Sequence, residues 1–277
     1  MPVRVLNLGA GVQSTTIYLL ALDGEIKVDC AIFADTGEEP AAVYKHLSWV
    51  ESLGGPPIHR VARPVRLGDN LKAGLNATGN RFVSIPAFTK SATEPGRVGI
   101  LRRQCTSEYK ITVIEKAIRR KVLGLRPGQR AKPLSVIQLF GLSFDEPRRI
   151  ESLRKQFAKK KWASLQLPLV EMEWGRRRCM DYLKTKVPHQ VPRSACVFCP
   201  YHGNAEWLWI KENDPLGWAR AVEVDAALRH PDSVCNRKME QETFVHRSCV
   251  PLDQADFGGR DTLDLFSAAE CAGACGV

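Results

Sequence analysis

The feature that most constrains the fold is a short apolar strand that runs directly into a glycine turn and then into a helix. The strand is predicted at Val3–Leu8, and the turn and first helical residues are Gly9-Ala10-Gly11-Val12-Gln13-Ser14-Thr15. Further strands are predicted at residues 28–33, 58–61, 134–140 and 164–170, with helices between most of them. Strands that alternate with helices predict a doubly wound, mostly parallel α/β sheet covered on both faces.

A change of pattern divides the chain at about residue 171. Before it strands and helices alternate, and after it the chain is helical or irregular and rich in Trp, Arg and Cys. The length of 277 residues suits one large domain with a substantial appendage. We therefore predict an α/β domain over residues 1–170 and a helical, cysteine-rich C-terminal region over residues 171–277.

Several classes of protein are disfavoured. No apolar run approaches the roughly 18 residues of a membrane helix, and the N-terminus leads straight into a strand without a secretory leader. The nine cysteines are not spaced like the disulfide framework of a small secreted domain. We expect a cytoplasmic protein with no membrane partner, in which Cys196-Val-Phe-Cys199 indicates metal or redox chemistry.

Positive charge is concentrated in the middle of the chain. The whole sequence has a net charge of +10, whereas the segment Arg97–Lys161 alone holds 18 basic and 5 acidic residues, a net of +13. Such a segment attracts nucleic acid or a phosphorylated substrate, although solvated helix faces would account for it too. The runs Lys159-Lys160-Lys161 and Arg176-Arg177-Arg178 would suit a polymer backbone.

Two loops are placed to bind a ligand, because ligands of doubly wound sheets lie beyond the carboxyl ends of the strands. In the first, residues 9–15, small residues let backbone N–H groups approach a phosphate, and Ser14 and Thr15 add hydroxyls at the positive helix end. It lacks the lysine of a nucleoside-triphosphate P-loop and the third glycine of a dinucleotide loop. The second loop is Asp35-Thr36-Gly37. The alternative is that it binds no ligand and simply caps the next helix.

The first loop resembles a degenerate Ser-Gly-Gly-x-Asp-Ser loop of the PP-loop ATP pyrophosphatases, which include the adenylylsulfate and phosphoadenylylsulfate reductases. Gly9 and Ala10 replace the leading Ser-Gly, and Gln13 replaces the Asp. Three further segments are similar to those reductases, namely residues 33–39 with Asp-Thr-Gly, residues 102–110 around Cys105, and Gly141-Leu142-Ser143-Phe144-Asp145-Glu146-Pro147-Arg148-Arg149.

This resemblance implies an adenine nucleotide alpha-hydrolase-like fold, with residues 1–170 as a PP-loop nucleotide-binding domain that binds ATP and magnesium. Asp35 would lie near the ribose or the magnesium ion and take part in catalysis. The nucleotide-binding residues that it implies are Gly9, Ala10, Gly11, Gln13, Ser14, Thr15, Asp35, Thr36, Arg103 and Arg148.

The cysteine spacing is the most specific part of the resemblance. Ninety residues lie between Cys105 and the Cys196-x-x-Cys199 pair, and iron–sulfur adenylylsulfate reductases hold a [4Fe–4S] cluster with a similar arrangement. Thr106 occupies the position of their second adjacent cysteine. Cys105, Cys196 and Cys199 are therefore the implied ligands, with the fourth iron either open or ligated from elsewhere. The alternative is a zinc site on Cys196 and Cys199 completed by Cys235, Cys249 or His202.

The C-terminal tail carries Cys271 in Glu270-Cys271-Ala272-Gly273. It is similar to the tail whose cysteine attacks sulfur in the sulfonucleotide reductases, which makes Cys271 a candidate nucleophile. It could equally be a fourth cluster ligand or an ordinary terminal thiol.

Three functions follow from these features. The first is an ATP-dependent sulfurtransferase with a [4Fe–4S] cluster that thiolates tRNA or DNA through adenylylation, supplied by a sulfur-donor protein. The second is a sulfonucleotide reductase that uses Cys271 and a reductant protein. The third is a zinc-stabilised nucleic-acid-binding protein without catalysis, which the replacement of the loop Asp by Gln13 keeps open.

Overall fold

The structure, a computed structural model, describes residues 1–74, 85–90, 96–231 and 241–258. The strands are β1 (Val3–Asn7), β2 (Cys30–Asp35), β3 (Ile58–Ala62), β4 (Phe88–Lys90), β5 (Val98–Ile100), β6 (Val136–Phe140), β7 (Ala163–Gln166) and β8 (Thr243–Phe244). Five of them form one sheet in the order β3-β2-β1-β6-β7, and every neighbouring pair is parallel. The other three form a small antiparallel sheet in the order β5-β4-β8.

Helices cover the parallel sheet and extend beyond it. They are α1 (Val12–Leu22), α2 (Ala41–Ser52), α3 (Leu67–Lys72), α4 (Thr112–Ala117), α5 (Pro147–Phe157), α6 (Pro168–Glu171), α7 (Arg176–Lys186), α8 (Asn204–Asn213) and α9 (Pro215–Leu228). Turns of π-helix, Thr106–Ile111 and Ile118–Val122, continue α4 at both ends. A 3₁₀ turn spans Leu252–Gln254.

Alternation along the strands divides the core between the two faces of the sheet, because successive side chains of a strand point to opposite faces. Leu6 of β1 packs in the cluster that contains residues of α1, α2 and α7. Its neighbour Val5 packs in the opposite cluster, with residues of α4 and α5. Both side chains are fully buried. The predicted doubly wound α/β sheet is thus confirmed.

All five strands predicted from the sequence are present, but some of them begin or end at other residues than predicted. β2 pairs with β1 from Cys30 onward, two residues later than predicted. The Asp29 N–H still donates to the Arg4 carbonyl at 2.9 Å, but the Arg4 N–H donates to the side-chain carboxylate of Asp29 at 2.7 Å. The strand predicted at 164–170 ends at Gln166. Pro168 has no N–H for a strand ladder and opens α6 as its first residue.

The described part of the region after residue 171 consists of the helices α7, α8 and α9, irregular segments and the short strand β8. Its first helix, α7, contributes Cys179 and Leu183 to the same core as α1. Cys235, Cys271 and Cys275 lie outside the described residues, so a cysteine-rich module stays a prediction. Among the described residues, no helix is both long and apolar enough to cross a bilayer.

Candidate functional site

The candidate site lies at the carboxyl ends of β1, β2 and β6. From β1 the sheet continues to β2 on one side, whereas on the other side it continues to β6 and β7. The strand order therefore reverses between β1 and β6, and such a reversal opens the crevice in which doubly wound sheets bind ligands. The loops that sequence analysis singled out follow β1 and β2 at this edge.

Ser14 closes the loop after β1. Its hydroxyl oxygen accepts hydrogen bonds from Gly9 N at 3.2 Å and from Gly11 N at 3.3 Å. Between them Ala10 has a φ of +58°, in the left-handed region that strains residues with a Cβ. The resemblance places a glycine of the family at this position. Gly11 then caps α1, whose positive end faces the crevice.

Gly141 brings the end of β6 against this loop. A Cβ on Gly141 would lie 2.7 Å from the backbone N of Ser14 and 3.0 Å from the carbonyl carbon of Gln13. Real Cβ atoms do not approach backbone this closely, and neither strand nor loop can yield without displacing the other. The position therefore requires glycine, and it fixes the loop to the neighbouring strand.

Gln13, at the position of the family's Asp, is buried and fully engaged. Its Nε2 donates to Ser143 Oγ at 3.1 Å and to Glu146 Oε2 at 2.9 Å, and its Oε1 accepts from Arg176 Nη1 at 3.0 Å. An Asp here would place a second carboxylate beside Glu146 and would have no proton to donate. The amide therefore suits a network in which Glu146 supplies the carboxylate.

Thr15 points beneath the loop, into the core. Its hydroxyl lies 2.9 Å from His46 Nε2, and His46 Nδ1 lies 2.9 Å from His189 Nε2. Burial, reinforced by the neighbouring His189, lowers the pKa of His46 to about 4. The imidazole of His46 is consequently neutral at physiological pH, and the Thr15 hydroxyl is held by it.

The segment after β2 borders a cavity of about 420 Å³. Asp35 Oδ1 accepts hydrogen bonds from Gly37 N at 2.7 Å and from the Tyr44 hydroxyl at 2.8 Å. Burial, reinforced by the Asp35 carboxylate, raises the pKa of Tyr44 above its usual range, so that the phenol stays protonated. Arg63 and Arg66 line the same cavity. Both a carboxylate and guanidinium groups thus face the space beyond β2.

The Cys-x-x-Cys segment docks on the segment after β2. The sulfur of Cys196 lies 3.3 Å from the hydroxyl oxygen of Thr36, and Val197 N donates to the Glu38 carbonyl at 2.7 Å. Cys199 N closes a turn onto the Cys196 carbonyl at 2.9 Å. Cys105 caps the helix that starts at Thr106, close enough for its charge to raise the pKa of Cys196. We call Cys105, Cys196 and Cys199 the thiol cluster.

Buried charges surround the thiol cluster. Lys110 Nζ lies 3.1 Å from Glu39 Oε1, and both side chains are almost completely shielded from solvent. Ser194 Oγ donates to the other oxygen of Glu39 at 3.3 Å. Burial raises the pKa of the Cys196 thiol, and Glu39 adds to this, whereas Lys110 and Thr36 oppose it. Burial and Glu39 outweigh Lys110 and Thr36, so the pKa of Cys196 lies well above its usual value and the protonated thiol is favoured.

A second buried carboxylate braces the same segment. The guanidinium of Arg220 binds Glu38 through two hydrogen bonds, Nε to Oε2 at 3.0 Å and Nη2 to Oε1 at 2.8 Å. The N–H of Gly68 donates to Glu38 Oε1 at 3.0 Å. Because the Glu38 carbonyl also holds Val197, this pair joins α9 and α3 to the thiol cluster.

The residues of the zinc alternative are not gathered in the described part of the chain. His202 Nε2 lies 2.8 Å from the Cys196 carbonyl oxygen, and its Nδ1 lies 3.5 Å from Glu206. Cys249 packs with Phe88 and Phe244 in a separate cluster. Within the described residues, no three His, Cys, Asp or Glu side chains are preassembled to hold a metal ion. This holds for the thiol cluster as well, so the zinc site and the iron–sulfur cluster both stay predictions.

The remaining predicted residues are more scattered. The guanidinium of Arg103 lies over the ring of Tyr201, 5.1 Å from its centroid. Arg148 is exposed on the first turn of α5, whereas the adjacent Arg149 pairs with Glu146. Cys271 lies outside the described residues, and its role stays a prediction.

Sequence reasoning did not assign roles to the charges that support the thiol cluster. Glu38 and Glu39 directly follow Asp-Thr-Gly, and Lys110 lies five residues after Cys105. These positions were visible only as parts of motifs. Their pairing joins segments 71 or more residues apart, and no local pattern encodes it.

Comparison with known proteins gives no relative. No family model, no curated protein and no solved structure matches this chain.

Proposed function

We propose that this protein is an ATP-dependent sulfurtransferase of the PP-loop type that thiolates nucleic acid. One observation carries the proposal: Thr36, in the loop after β2, lies 3.3 Å from the sulfur of Cys196. The edge of the sheet that suits a nucleotide and the cysteines that suit a sulfur-bearing cluster are therefore neighbours, although 160 residues separate them in sequence. A site of this kind brings activation and sulfur delivery together.

The nucleotide is proposed to span the two loops. Its phosphates would lie at the N-terminus of α1, where backbone N–H groups and the helix dipole favour negative charge. Its ribose would occupy the 420 Å³ cavity, with Asp35 placed to accept a ribose hydroxyl or to ligate the magnesium ion. Ser14 would shape the loop rather than contact phosphate, because its hydroxyl is bonded to Gly9 and Gly11.

The residues near Cys196 suit an iron–sulfur cluster. Soft thiolates are the ligands that such clusters use, and Cys105, Cys196 and Cys199 would hold it, with one iron left without a cysteine ligand. Lys110 supplies a nearby cation, whose effect on the pKa of Cys196 opposes those of burial and Glu39 without overcoming them. When bound, the cluster would supply the sulfur atom at its open iron.

The proposed reaction has two steps. An oxygen of the acceptor attacks the α-phosphorus of ATP, and pyrophosphate leaves, so that the oxygen becomes an adenylate. A sulfur nucleophile then replaces that oxygen, and AMP departs. The N-terminal turn of α1 would bind the phosphates throughout, and the half-buried Arg103 would approach the acceptor from the segment beside Cys105.

Anaerobic purification tests the cluster. We expect a brown protein with about four iron atoms and four acid-labile sulfides per chain. Cys196→Ala should abolish the colour. Cys30→Ala is the matched control, because Cys30 is buried in the core under the sheet and should leave the iron content unchanged. A colourless protein with stoichiometric zinc would contradict the proposal.

Product analysis tests the reaction. With ATP and a nucleic-acid acceptor, we expect AMP and pyrophosphate in equal amounts. Release of sulfite from adenylylsulfate, without ATP turnover, would instead indicate a sulfonucleotide reductase.

A further inference from the structure

A groove of about 1,100 Å³ is unused by the nucleotide and the thiol cluster. It runs between α7 and α8 and is bounded by the segment 187–193. Pockets for single small ligands are usually about 300–1,000 Å³, so this groove offers more room than one small molecule needs.

The groove touches both parts of the proposed site. Val12, the first residue of α1, lies in its wall. On the opposite side its wall includes Gly203 and Asn204, which follow Cys199 by four and five residues. A ligand in the groove would therefore lie beside the end of the nucleotide loop and beside the Cys-x-x-Cys segment.

The lining combines apolar surface with positive charge. Met180, Leu208 and Phe257 provide apolar surface. Arg176, Lys184 and Arg193 provide three cations, of which Arg193 pairs with the one carboxylate of the lining, Glu206. Aromatic or apolar surface beside cations is the combination on which single-stranded nucleic acids bind, since bases stack while phosphates meet the charges.

We propose that this groove binds a single-stranded segment of the nucleic-acid acceptor. The inference deepens the proposed function and rests on it for the identity of the acceptor. Charge complementarity favours a polyanion. A single strand is favoured over a duplex, because the apolar wall has value only for bases that are free to leave the helix.

One lysine and one arginine on α7, Lys184 and Arg177, form a matched pair for the test. Lys184 lines the groove, whereas Arg177 does not. Both side chains pair with Asp181, Lys184 Nζ at 3.1 Å and Arg177 Nε at 3.2 Å, and both are largely exposed. Lys184→Glu and Arg177→Glu thus change the net charge equally and disturb the same neighbour, so that only the groove distinguishes them.

The probe is a fluorescent single-stranded RNA of about 12 nucleotides, within the length that one such surface covers. Its binding is measured by anisotropy over a range of salt. We expect Lys184→Glu to weaken binding about tenfold at low salt and to reduce the log–log salt slope by about 0.7 to 1. Arg177→Glu should weaken RNA binding by less than about threefold. Arg177 lies outside the groove, so its replacement removes no contact with the phosphates of the bound strand.

A second pair tests the apolar wall. Leu208 on α8 lines the groove, and Leu216 on α9 is exposed outside it. Leu208→Asp should weaken RNA binding, and Leu216→Asp should not. Equal effects within both pairs would overturn the proposal. So would binding of the matching duplex as tightly as the single strand.

Binding is measured without ATP, which separates this inference from the proposed function. If the inference fails, both pairs behave alike while the parent protein still carries iron and releases pyrophosphate. If the proposed function fails, iron or pyrophosphate release is absent while the difference between Lys184→Glu and Arg177→Glu remains.

Discussion

The loop after β1 and the thiol cluster lie at the same edge of the sheet, but they are stabilised differently. In the loop, the side chains of Gln13, Ser14 and Thr15 are neutral, and hydrogen bonds hold them in place. Around the thiol cluster, buried charged side chains stabilise the structure, and Lys110 is paired with Glu39. A buried charge is tolerated only when its partner is present. The two regions should therefore respond very differently to the loss of one side chain.

Removing the buried ammonium should have the largest effect. Lys110→Met keeps the length of the side chain but leaves Glu39 buried without its cation. We expect the free energy of unfolding to fall by about 3 to 5 kcal/mol, the usual cost of breaking a buried ion pair from one side. Urea unfolding at pH 7 measures it.

Lys116→Met is the control for this change, since Lys116 is exposed on α4. It should cost less than about 0.5 kcal/mol. Equal losses in the two variants would show that the pair contributes nothing beyond helix propensity, and the contrast between loop and thiol cluster would disappear.

The difference between the regions also explains what the sequence could predict. The loop was recognisable because it is local: a strand, small residues and a helix start follow one another within residues 3–15. The parallel sheet was predictable for the same reason, since each strand and helix has its own pattern. The support of the thiols was not, because Glu39 meets Lys110 and Ser194 across 71 and 155 residues.

Even for the loop, the structural roles of some residues could not be predicted from the sequence. The sequence marks Gly141 only as a residue after a strand, and its role depends on the distance to Ser14. Likewise, the sequence shows Gln13 only as a departure from a motif, and its role depends on its hydrogen bond to Glu146. Such pairings depend on which strands become neighbours, and a single sequence does not report that.

A methyl group at Gly141 should break the loop with a smaller effect than the loss of Lys110. The Cβ of Gly141→Ala would lie 2.7 Å from Ser14 N, so loop and strand must separate. We expect a loss of about 2 kcal/mol in unfolding free energy, within the range for overpacking. Calorimetry with ATP should show weakened binding in the same variant, because the N-terminal turn of α1 moves.

Gly175→Ala is the matched control for Gly141→Ala. Its Cβ would lie 3.4 Å from Asp145, an ordinary contact, and the expected loss is less than about 1 kcal/mol. If both variants bind ATP like the parent protein, the loop is not the phosphate site.

An effect about as large as that of Gly141→Ala comes from pH, acting on the neutral hydrogen-bond network of Thr15, His46 and His189 beneath the loop. The folded pKa of His46 is about 4, whereas an unfolded histidine has a pKa of about 6.5. Between these values the unfolded chain binds a proton that the folded protein does not, so stability decreases as the pH falls through this window. Linkage gives a loss of about 2 kcal/mol between pH 7 and pH 5.

Urea unfolding at pH 7 and pH 5 measures this loss, and His46→Gln identifies its source. The amide of Gln still faces Thr15 but does not titrate, so the decrease between the two pH values should shrink by about 2 kcal/mol in this variant. His59→Gln, on the half-buried strand β3, should retain the decrease of the parent protein. An unchanged pH dependence in His46→Gln would mean that other groups cause the loss. The loop would then be insensitive to protonation beneath it, and its contrast with the charged surroundings of the thiols would be sharper still.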